Sequence, residues 1–165
     1  MPRIVIVAAK RTPQGRYLGA LADRSSVELA LMAGRAAMEG IRPEAIDLVV
    51  LGNVLSAGQG MNVARQVGVK LGLALAVPAY TVNMMCASGM QAVALGAQAI
   101  LTGHARAVLC GGAESMSNAP YLLQRARAGY KIGDGQLLDV MLRDGLVDAF
   151  SGRHMGFIVE AAARK

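Results

Sequence analysis

Four short, largely apolar runs constrain this chain most: residues 4–9, 48–51, 79–84 and 107–111. Runs of this length without polar alternation suit strands covered on both faces. Helical spacing separates them. Ser25 and Glu28 stand three apart, as in a capping box. Val27, Ala30, Leu31, Gly34 and Met38 then form an apolar stripe that ends near Gly40. Further helices are predicted over 62–73 and 88–102, the latter with Met90, Val93, Ala94, Ala97 and Leu101 at helical intervals. Strands alternating with helices predict an α/β layered fold, a mostly parallel sheet covered by helices on both faces. From Glu114 to Gly156 the pattern breaks into polar, arginine-bearing loops and short helical pieces. The expected division is a core over 1–116 and a separate excursion over 117–165.

A chain of 165 residues can hold one core or form a piece of a larger one. Two cysteines and no CxxC pair exclude a disulfide framework and suggest no metal site, so a reducing cytoplasm is the expected location. The net charge of +6 invites a nucleic-acid reading, but aromatic content is 4% and no basic block forms. No nucleic acid is expected. Arg125, Arg127, Lys131 and Arg143 are either solvated surface or a contact for a phosphate-bearing molecule. Residues 71–103 carry no charge, yet Pro78, Asn83, Ser88, Gln91 and Gln98 interrupt them. A buried strand and helix explain that stretch better than a membrane span, and no signal peptide is read at the N-terminus. Dinucleotide and P-loop glycine motifs are absent.

Cys86 is the candidate reagent. It lies where the third apolar run gives way to a helix, beside unpaired N–H groups that favour an anion. A thiol there gives up its proton more readily than free cysteine, and the thiolate is the nucleophile. Ala87, Ser88 and Gly89 leave room for a substrate. Filling a core is the alternative role for any lone cysteine, and it is the one expected of Cys110. His104 follows Gly103 at a helix end, where capping or solvent exposure is expected. His154 falls in a loop and is open to either a substrate contact or a structural role.

Val82-Asn83-Met84-Met85-Cys86-Ala87-Ser88-Gly89-Met90 resembles the nucleophile segment of the thiolases, the acetyl-CoA acetyltransferases and 3-ketoacyl-CoA thiolases. Gly111-Gly112-Ala113-Glu114-Ser115-Met116-Ser117 is similar to the loop after that family's fourth strand. Further matching stretches, among them Arg11-Thr12-Pro13, Asn62-Val63-Ala64-Arg65-Gln66 and His154-Met155-Gly156, run the length of the chain. The resemblance implies a thiolase-like fold, an incomplete N-terminal half plus part of a loop domain that covers coenzyme A. It implies acyl transfer through a thioester on Cys86, with Met155 lining the acyl pocket and His154 near the bound coenzyme A. Coenzyme A thioester is then the substrate and no separate cofactor is implied. Full-length members are homo-oligomers of two similar halves, and their activating histidine, water-positioning asparagine and second cysteine lie in the second half. Little activity is therefore expected of these residues alone, whether they are a fragment, a truncation or one piece of a split enzyme with a partner chain. A non-catalytic dimerisation module and a ketoacyl synthase are the rival readings.

Overall fold

The computed structural model describes residues 3–164, which divide into two units between Asn118 and Ala119. In the first, α1 (Ser26–Ala37) precedes β1 (Leu48–Gly52), α2 (Val63–Lys70), β2 (Ala79–Val82), α3 (Ser88–Leu101) and β3 (Val108–Gly112). The strands form a parallel sheet in the order β2–β1–β3. Each strand is reached through a helix, as parallel pairing requires. The Ser25 capping box forms as its spacing predicts, the hydroxyl accepting from the Glu28 N–H and the Glu28 carboxylate from the Ser25 N–H.

β1 explains its own unbroken hydrophobicity. Val49 and Leu51 face a cluster with Val27 of α1 and Val63, Ala64 and Val67 of α2. Leu48 and Val50 face the other way, against Ala92 of α3 and Ala105. Val49 and Val50 are wholly buried, and each such side chain contributes about 1.5–3 kcal/mol by leaving water. The central strand is thus covered on both faces.

Two expectations need correction. Residues 4–9 form no strand among the described residues, and Val5, Ile6 and Val7 are 61%, 77% and 80% exposed. An apolar run becomes a strand only where a neighbour supplies hydrogen bonds, and no strand among the described residues pairs with it. The apolar stripe chosen for α3 also faces outward: Met90 is 75% exposed, and Val93 and Leu101 are exposed too. The helix packs instead on its small residues Ser88, Ala92 and Gly96. Small side chains let its backbone lie close to the sheet, so volume outweighs hydrophobicity in choosing the buried face.

Asp47 ties β1 to β3 at their entry ends. Its carboxylate accepts from the Arg106 and Ala107 N–H groups at 2.7 and 3.3 Å and meets the Arg106 guanidinium at 3.3 Å. The side-chain and backbone bonds from Arg106 hold this carboxyl below its ordinary value of 3.8. The folded chain therefore binds fewer protons here than the unfolded one, so the stabilisation is full above pH 3.8 and is lost as pH falls through the lowered value. Asp47→Asn is expected to lower the thermal midpoint at neutral pH. Melts followed by circular dichroism should show that difference shrinking below pH 3.8.

The second unit holds an antiparallel pair, β4 (Tyr121–Leu123) and β5 (Leu137–Asp139). A wide-turned π-helical segment, Met141–Leu146, follows, and then α4 (Met155–Ala163). The strand pair replaces loops expected from sequence, because three-residue strands are too short to show an alternation. No helix among the described residues is long and apolar enough to cross a membrane.

Candidate active site

The exit ends of β1, β2 and β3 converge, and Cys86 lies among the loops that leave them. β2 ends at Val82, a five-residue turn follows, and α3 starts at Ser88 with Ala87 as its cap. Cys86 is exposed. Parallel sheets place ligands in this position, outside the carboxyl ends of their strands.

Glycines set how close α3 comes. A Cβ on Gly52 would stand 2.4 Å from the Ser88 carbonyl carbon and 2.6 Å from the Gly89 nitrogen. One on Gly112 would stand 3.1 Å from the Gly89 Cα. The first turn of α3 therefore rests directly on the ends of β1 and β3, and Cys86 is fixed relative to the sheet.

The turn itself is tightly bonded. Met85 has φ +50°, a left-handed conformation that costs a residue with a Cβ about 1–2 kcal/mol. Its N–H donates to Asn83 Oδ1 at 3.0 Å. Ser88, 4% exposed, accepts from the Met84 N–H at 2.8 Å and donates from Oγ to the Met85 carbonyl at 2.6 Å.

Glu114 fastens the neighbouring loop. Its carboxylate accepts from the Val54 and Leu55 N–H groups at 2.9 and 3.0 Å and from Asn53 Nδ2 at 2.8 Å. Burial pushes this carboxyl above its ordinary value, against the pull of those donors. Asn53 N–H in turn donates to the Val82 carbonyl at 3.0 Å, so all three loops are linked.

The other candidates are Cys110, His104, His154 and Met155. Cys110 packs its sulfur against Gly96 on the inner side of α3, and burial pushes its thiol up. His104 is exposed at the helix end, its Nδ1 2.7 Å from Thr102 Oγ1. Met155 and His154 belong to the second unit, where His154 Nδ1 accepts from the Gly156 N–H and caps α4. Arg125, Arg127, Lys131 and Arg143 are exposed there. Sequence reading missed the Asn53–Glu114 link, since 61 residues separate the partners and no local spacing marks them.

The sequence profile described as thiolase, N-terminal domain, matches residues 4–165. The chain belongs to the thiolase family. An acetyl-CoA acetyltransferase of Escherichia coli (strain K12) is 48% identical over all of this chain and 43% of its own length. One of Cupriavidus necator is 44% identical over all of this chain and 42% of its own. The solved acetyl-CoA acetyltransferase of Syntrophomonas wolfei superposes with a TM-score of 0.91 at 43% identity, covering 97% of this chain and 41% of that one. The layered α/β reading thus stands as a thiolase fold. This thiolase chain spans about two fifths of the length of the relatives it matches.

Proposed function

We propose that this chain carries the acyl-accepting cysteine of a thiolase that works on coenzyme A thioesters. The exposed Cys86 at the start of α3, in a turn fixed by the glycine contacts, carries the reading. The thiolate attacks the carbonyl carbon of an acyl-CoA and forms a new C–S bond. The carbonyl electrons move onto oxygen, where the Cys86 N–H is positioned to help hold the charge. They then return and expel the coenzyme A thiolate, which takes up a proton. A second substrate resolves the acyl-cysteine in the other half of a ping-pong cycle. Met155 lines the acyl pocket and His154 lies near coenzyme A in this reading, and the exposed arginines of the second unit meet its phosphates. A cytoplasmic homo-oligomer serving fatty acid metabolism is the setting that accords with the family.

General acid–base help contributes about 10²–10⁴-fold to reactions of this kind. The family's base lies beyond the segment matched here, so acylation of these residues alone is slow and steady thiolysis is absent. Incubation with acetyl-CoA followed by intact-mass analysis is expected to show a slowly formed acetyl adduct that Cys86→Ser abolishes. An adduct that survives the substitution, or none at all, would overturn the assignment of Cys86. Steady thiolysis by the unaltered chain would overturn the claim that it turns over poorly.

A further inference from the structure

We infer that Ser88 is a positioning residue for Cys86, acting through the left-handed backbone of Met85. The inference rests on the proposed role of Cys86 as acyl acceptor. Ser88 is buried at the first position of α3, and both functions of its hydroxyl are used within the turn. It accepts from the residue before Met85 and donates to the carbonyl of Met85 itself. Asn83 takes the Met85 N–H from the other side. Met85 is thus held at φ +50° by contacts on both of its peptide groups. Methionine has no preference for that conformation, so the surrounding bonds must impose it.

The residue so constrained directly precedes the nucleophile. Its ψ sets the plane of the Met85–Cys86 peptide, and that plane fixes where the Cys86 N–H points and, together with φ of Cys86, where the Cys86 Cβ points. Acyl transfer needs both at once: sulfur in line with the carbonyl carbon and an N–H aimed at the developing oxyanion. Alkylation by iodoacetamide needs only the sulfur. Disturbing the turn must therefore slow acylation more than alkylation, whereas a general loss of structure alters both.

The test uses the full chain with two reagents, acetyl-CoA and iodoacetamide, each followed by peptide mass spectrometry. Ser88→Ala is expected to slow acetylation of Cys86 about tenfold or more, with alkylation changed less than about threefold. Adding Met85→Asn, a residue that accepts φ > 0, is expected to restore most of the acetylation rate. If Ser88→Ala does not fold by circular dichroism, Asn83→Ala with and without Met85→Asn carries the same comparison, since Asn83 is exposed. Equal changes with both reagents, no change in acetylation, or no restoration by Met85→Asn would overturn the inference. Absence of acetylation in the unaltered chain would instead sink the reading of Cys86 on which it rests.

Discussion

Gly52→Ala is expected to displace α3 and to abolish formation of the acetyl adduct at Cys86. The added Cβ would meet the Ser88 carbonyl carbon at 2.4 Å, the Gly89 nitrogen at 2.6 Å and the Ser88 oxygen at 2.6 Å. All three are backbone atoms, so no rotamer change relieves the clash. Either β1 or the first turn of α3 must move. β1 is the buried central strand, paired on both edges, so the helix start yields. Overpacking a tight core costs about 1–3 kcal/mol and occasionally more, and this contact belongs at the upper end. Chemical denaturation should report a lowered midpoint, and mass analysis should report no acetylation. An alanine variant with unchanged stability and a normal adduct would show that the close approach is not needed.

Gly96→Ala is the second large effect, and it has a built-in remedy. Alanine ordinarily favours a helix interior over glycine by about 1 kcal/mol. Here its Cβ would lie 2.2 Å from the Cys110 sulfur and 3.3 Å from Val108 Cγ1. The sulfur faces the helix from a paired strand, so the clash outweighs the propensity and the variant is destabilised. Removing the sulfur with Cys110→Ala should recover most of the loss. The double-mutant cycle is expected to give a coupling on the order of 1–3 kcal/mol. Additive single effects would place the helix further from β3 than the structure has it.

The core of the fold was legible because local signals and packing agree there. The capping box at Ser25 and the unbroken run at β1 each have one stable use, and both appear where the sequence placed them. The same reasoning failed at residues 4–9 and on the outer face of α3. At residues 4–9 the outcome depends on a strand neighbour, which periodicity does not reveal. On α3 the small residues win because backbone proximity at Gly52, Gly96 and Gly112 decides the packing. Cys86 was visible through its position between strand and helix. Its supports were not, since the hydroxyl of Ser88 and the carboxylate of Glu114 gain their roles only from how the turns close in space.

The Glu114 link governs where this chain can be cut or lengthened. Exposed loop tips are ordinarily where insertions and circular permutations succeed. The loop after β1 departs from that habit, because Asn53, Val54 and Leu55 each give a hydrogen to one carboxylate. Even one residue inserted there breaks the set and leaves a half-buried carboxylate short of donors. Residues 124–136, exposed throughout, impose no such restriction. An engineer seeking new termini or a grafted domain should open the chain between β4 and β5 and leave the turn after β1 intact.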